Sequence, residues 1–138
     1  NFSINWSRLL RHNFDGKLRV FTRFSENISL ITIMPCMNLS VVENILQASK
    51  AVIVQAYGMG NIPSQNRKLV GILRQAIEND VIIVIMTQCR EGGVNDLYET
   101  GRALVELGAV LAYDMTLECV LAKLAYLLGK GYSDEKTK

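Results

Sequence analysis

Two short loops gather the residues of this sequence that could do chemistry. They are Tyr57-Gly-Met-Gly-Asn-Ile-Pro63 and Thr87-Gln-Cys-Arg-Glu-Gly-Gly-Val94, both rich in glycine and small polar side chains. Each follows a short apolar run, and ligands of open parallel sheets bind beyond the carboxyl ends of such strands. Gly58-x-Gly60-x-x-Pro63 invites a dinucleotide reading. However, Pro63 stands where the third glycine belongs, and Glu78 and Asp80 fall at the end of the next helix rather than beside a ribose. No phosphate-binding G-x-x-x-x-G-K-[ST] occurs. An anion at the helix start near Ser64 stays open.

Asn61 follows two glycines, so its amide sits where backbone can turn sharply; it either orients a ligand or serves its own turn. Tyr98 begins a helix beside the second loop, where its hydroxyl could reach solvent or a neighbouring subunit. Nucleophilic catalysis finds little support. The single histidine, His12, lies far upstream in a basic segment. Cys89 is either a thiolate position or an inert thiol buried at a strand end, while Cys36 and Cys119 read as core filler. No His, Cys or carboxylates cluster at metal-ligand spacing. A strand-end site of Gly, Asn, Thr, Gln and Tyr without a nucleophile suggests a binding surface or half of an active site.

The elements that must position these residues are legible in the hydrophobic pattern. Ala51–Val54, Val81–Met86 and Ala109–Ala112 are short apolar runs, as strands buried on both faces require. Between them lie helical spacings of three and four: Leu69, Val70, Leu73 and Ile77, then Leu97, Leu104 and Leu107. Ser40 and Glu43 suggest a capping box for a first helix with Val41, Val42, Ile45 and Leu46 inward. Asp114 or Thr116 would cap a last one carrying Leu117, Val120, Leu121, Leu124 and Leu128. Residues 17–24 alternate and, with Ile28–Met34, suggest a β-hairpin. The expected fold is a three-layer α/β sandwich: a mainly parallel sheet of about four strands flanked by helices, plus that N-terminal hairpin. Residues 1–16 would be a linker, 17–130 the domain and 131–138 a polar tail.

Composition narrows the classes further. The 138 residues are 49% hydrophobic and 20% charged, which excludes a disordered chain. A net charge of +2 argues for no nucleic-acid and no membrane partner. No run approaches the roughly 18 apolar residues of a membrane span. Three cysteines without C-x-x-C spacing suit a reducing, cytoplasmic setting. A mean hydropathy of +0.17 is high for a small domain and points to surface covered by another protein. The chain starts at Asn1 rather than Met, as a piece excised from something longer would.

At the same loops the sequence resembles the C-terminal domain of the cytoplasmic, type I L-asparaginases, whose animal branch also carries the name 60-kDa lysophospholipase. The resemblance rests on Ile31-Thr-Ile-Met-Pro35, Ala51-Val-Ile-Val-Gln-Ala-Tyr-Gly-Met-Gly-Asn-Ile-Pro63, Met86-Thr-Gln-Cys89, Gly93-Val94 and Tyr98-Glu-Thr-Gly101. It continues through Ala109-Val-Leu-Ala-Tyr-Asp-Met-Thr-Leu-Glu118 and Lys123-Leu-Ala-Tyr-Leu-Leu128, in the family's order.

The resemblance implies hydrolysis of L-asparagine to L-aspartate and ammonia without metal or organic cofactor. It also implies a threonine nucleophile in an N-terminal domain of the same chain, outside this sequence. A neighbouring subunit's C-terminal domain would complete each site in an intimate dimer, alone or within a tetramer. Asn61, with Gly60, would then orient the substrate, and Tyr98 would support catalysis in trans. Some members bind asparagine at a second, activating site, which matches Thr87 and Cys89. Bacterial members often place an arginine where Gln55 stands, and a neutral amide cannot replace that charge. The usual Pro-Gly is Pro35-Cys36 here. Readings of other classes are an amino-acid-sensing module and a lipid hydrolase, the latter lacking a Gly-x-Ser-x-Gly elbow.

Overall fold

Ala51–Ala56 and Ile82–Thr87 are almost wholly apolar, and each is covered on both faces. They are β2 and β3, the central strands of a four-stranded parallel sheet. The computed structural model describes residues 4–8, 17, 20–63, 66–95 and 99–132. β1 (Ile28–Thr32) lies beside β2, β4 (Val110–Leu111) lies beside β3, and the spatial order follows the chain. The register aligns Ile28 with Ala51, Ala51 with Ile82 and Val84 with Val110. All four carboxyl ends therefore open onto one edge of the domain.

The two-residue period of the strands divides the core. Val52, Val54, Ile83 and Ile85 face α1 (Leu39–Ala48), α2 (Arg67–Glu78) and α3 (Glu99–Glu106), meeting Leu46, Leu73 and Leu104. Ala51, Ile53, Ile82 and Val84 face α4 (Leu117–Gly129) through Val120 and Leu124. Sequential strands joined by crossovers of one hand place all three connecting helices on one face, which leaves the other to α4. This is the expected three-layer sandwich.

The caps differ in part from expectation. Asn38, not Ser40, caps α1: its side chain accepts from the Ser40 N–H at 3.1 Å, so Ser40 lies in the first turn. Val41 is consequently exposed, while Val42 and Leu46 are buried. Asn66 caps α2 by accepting from the Leu69 N–H, and Ser64 lies outside the described residues. Of the two candidates for α4, Thr116 is the cap.

The hairpin is the clear correction. Residues 20–27 form no strand, and among the described residues β1 pairs with β2 alone. The segment runs along α4 instead. The Ser25 N–H donates to the Ala125 carbonyl at 2.9 Å, and Phe21 meets Tyr126 edge-to-face with centroids 5.4 Å apart. The Lys130 ammonium sits 4.7 Å from the Tyr126 ring, and the hydrogen bond it donates to the Tyr126 hydroxyl raises its pKa. Two phenylalanines gain more against an aromatic helix end than on the open edge of β1. Gly129 makes the approach possible, because a Cβ there would collide with the Arg23 carbonyl. Residues 1–3, 9–16 and 133–138, hence His12 and most of the expected linker and tail, lie outside the described residues.

Two helical glycines test this packing. Gly71 in α2 has nothing near its missing Cβ, so Gly71→Ala should stabilise by about 0.5–1 kcal/mol through helix propensity. Gly129→Ala should lower the midpoint of thermal unfolding despite the same propensity gain. Equal stabilisation by both would show that residues 20–27 do not rest on α4.

Candidate functional site

The carboxyl edge of the sheet is where the ladder runs out and its last carbonyls need donors. Gln88, the first residue after β3, provides them. Its Nε2 donates to the Ile33 carbonyl at 2.7 Å and to the Gln55 carbonyl at 3.0 Å, tying three strand ends together. The sequence reading passed over Gln88 between Thr87 and Cys89. Its signal was only its place directly after an apolar run.

Beyond β2 the chain closes a tight turn. The Tyr57 N–H donates to the Asn61 carbonyl, and the N–H groups of Gly60 and Asn61 return to the Tyr57 carbonyl. Gly58 and Gly60 hold φ of 48° and 108°, which glycine adopts without strain. Backbone bonds alone therefore hold this turn. The Asn61 side chain is exposed and engages no described residue, so its own turn does not consume its amide. Gly60 is buried, and a Cβ there would stand 3.4 Å from Val94.

The loops after β2, β3 and β4 are stitched into one rim. The Asn95 N–H donates to the Met59 carbonyl at 3.2 Å, and the Val94 N–H to the Tyr113 carbonyl at 2.9 Å. Gly93 is required at the second seam, since a Cβ would lie 2.6 Å from the Tyr113 oxygen. Tyr113 itself takes φ of 52°, a further constrained point on the rim.

Gln55, Thr87 and Cys89 do come together. They line one cleft of about 270 Å³ between the loop after β3 and the first turn of α4. Thr87 is only 6% exposed, and its hydroxyl accepts from the Cys89 N–H at 2.9 Å. The Gln55 Oε1 accepts from the Thr32 hydroxyl at 2.8 Å, which leaves its amide hydrogens. Arg90, Asp114 and Glu118 line the same cleft and were not singled out as ligand-binding from the sequence. Asp114 had been read as a helix cap, a role that Thr116 fills. The Glu118 carboxyl is held below the usual range by its own backbone N–H and by the Thr116 hydroxyl. Tyr98 lies outside the described residues.

The thiols correct the sequence reading. Cys36, Cys89 and Cys119 are all free and exposed, so none fills the core. Cys36 holds φ of 59°, the left-handed region that favours the glycine it replaces in the resembled motif. Among the described residues no group of His, Cys, Asp and Glu could hold a metal. No described helix is long and apolar enough to cross a membrane.

Comparison with known proteins gives this geometry its family. Residues 27–138 match the family described as the Glutaminase/Asparaginase C-terminal domain. L-asparaginase 1 of Escherichia coli (strain K12) is 39% identical over 123 residues, covering 88% of this chain and 36% of that protein. The human 60 kDa lysophospholipase is 35% identical over 130 residues, covering 92% of this chain and 22% of the relative. The crystal structure of L-asparaginase I from Vibrio cholerae superposes with a TM-score of 0.83 at 37% identity, covering 99% of this chain and 41% of that one. The chain thus spans between about a fifth and two-fifths of the proteins it resembles. By this match over most of its length, the chain belongs to the Glutaminase/Asparaginase C-terminal domain family.

Proposed function

We propose that this chain is the C-terminal domain of an L-asparaginase that, as the whole protein, hydrolyses L-asparagine to L-aspartate and ammonia. One observation carries the reading: Asn61 presents an unengaged amide on a turn held by backbone alone, at the edge where parallel sheets bind ligands. A side chain held ready in this way suits recognition, while the three thiols have no histidine base among the described residues. The covalent chemistry then belongs to a threonine in the preceding domain, and Asn61 reaches into a neighbouring subunit's site. Asn61 orients the amino-acid end of the substrate with Gly60 behind it, and Tyr98 donates near the nucleophile. The expected assembly is a homo-oligomer in the cytoplasm.

The cleft holding Gln55, Thr87 and Cys89 is, on the same reading, a second place for asparagine, distinct in role and acting as an effector site. A lipid hydrolase is the competing reading, favoured by the name of the human relative. The polar lining of the strand-end cleft, with Arg90, Asp114 and Glu118, suits an acyl chain poorly.

Steady-state ammonia release by the full-length parent tests the shared site. Asn61→Ala should lower kcat/KM by about tenfold to a hundredfold, the worth of one hydrogen bond to a charged group. Tyr98→Phe should lower kcat by at least about tenfold with the fold intact. Unchanged kinetics in both variants would sink the shared-site reading. Fatty-acid release from a lysophospholipid, in place of ammonia from asparagine, would favour the lipid enzyme. The 138-residue chain alone should release no ammonia; robust turnover would place a nucleophile within it.

A further inference from the structure

The far side of the sheet carries a groove that the strand-end loops do not form. β4 is two residues long, and among the described residues nothing pairs with its outer edge. One stripe of α4 at spacings of three and four, Val120, Lys123, Leu124 and Leu127, faces Val84 and Val110 across a groove of about 160 Å³. It shares only Met115 with the cleft after β3. Its lining is apolar apart from Tyr113 and Lys123, both exposed. Lys123 is the one charged side chain there, and it has no hydrogen-bond or ion-pair partner among the described residues.

An apolar groove with a single polar group that fixes orientation is the usual form of a small-molecule site. The size and the charge each narrow the ligand. An aliphatic cavity of about 150 Å³ holds a benzene-sized guest, so this groove suits roughly six carbons. Lys123 stands in the second turn of α4, where backbone N–H groups are already bonded within the helix. No backbone donor joins the ammonium, so it lacks the set of N–H groups that a phosphate collects at a helix start and suits a monoanion.

We propose that the β4–α4 groove binds a short apolar carboxylate of roughly six carbons, its chain among Val84, Val110, Val120, Leu124 and Leu127 and its carboxylate on the Lys123 ammonium. The proposal is independent of the asparaginase reading, since no residue given a role there lines this groove.

Amide chemical shifts of the chain, followed during titration with hexanoate, 1-hexanol and acetate, test it. Hexanoate should shift the Val110, Leu111 and Ala112 amides saturably, with a Kd of about 1–10 mM. Hexanol keeps the chain without the charge and should bind about threefold to tenfold more weakly, the worth of an exposed ion pair. Acetate keeps the charge without the chain and should bind at least about a hundredfold more weakly. Lys123→Gln, at an exposed and unpartnered position, should keep the fold and remove the preference for hexanoate over hexanol. Leu127→Ala should lengthen the groove, so that octanoate gains over hexanoate in this variant and not in the wild type. Equal hexanoate binding by wild type and Lys123→Gln would overturn the proposal. So would groove amides that shift with protein concentration and not with hexanoate, because the groove would then seat a second copy of the chain.

Discussion

A parallel ladder ends with carbonyls facing open space, and here one side-chain amide takes up two of them. Gln88 bridges the Ile33 and Gln55 carbonyls while its own N–H donates to Ala56. Everything at the carboxyl edge depends on that closure. With the strand ends pinned, the turn at 57–61 needs only backbone bonds, and the seams at Met59–Asn95 and Val94–Tyr113 join three loops into one rim. Side chains are thereby released from structural duty. Asn61 and Arg90 are left without partners among the described residues, and Thr87 keeps a spare donor. An edge that satisfies its backbone internally can offer its polar side chains to something else.

Much of this was legible in the sequence, and the reasons for the failures are physical. Doubly buried strands announce themselves as unbroken apolar runs, so β2 and β3 could be read directly. The hairpin could not, because alternation in residues 17–24 also fits a segment resting two phenylalanines on a helix. Ser40 looked like a cap through its spacing to Glu43, yet Asn38 stands earlier and holds the extended backbone a cap requires. The cysteines were judged by their usual burial, whereas Cys36 sits on a turn at positive φ. Arg90 and Asp114 are 24 positions apart, and only the pairing of β3 with β4 makes them neighbours at one cleft. Gln55, Thr87 and Cys89 were named by resemblance, and the sheet register explains why they converge.

The apolar excess noted in the composition now has locations. Leu30 and Met34 at the β1 edge, Val41 on α1 and Met59 on the rim are all substantially exposed. β1 is an edge strand with one face of its ladder unpaired among the described residues. On the proposed reading these surfaces belong against the preceding domain and the neighbouring subunit, which also accounts for a chain that matches only part of its relatives' length. A domain of this size can hold a complete core and still hold half of a catalytic site.

The claim at the centre is that the site is divided between subunits, with Asn61 on one and the threonine nucleophile on another. Mixing two impaired full-length variants tests it most directly: one with Asn61→Ala, the other with the upstream threonine replaced by alanine. After the subunits exchange, mixed dimers contain one site with both an intact threonine and an intact Asn61. Ammonia release should then recover to about a quarter of the wild-type rate, as random pairing in a two-fold dimer requires. A mixture no more active than the sum of its two parts would contradict the account.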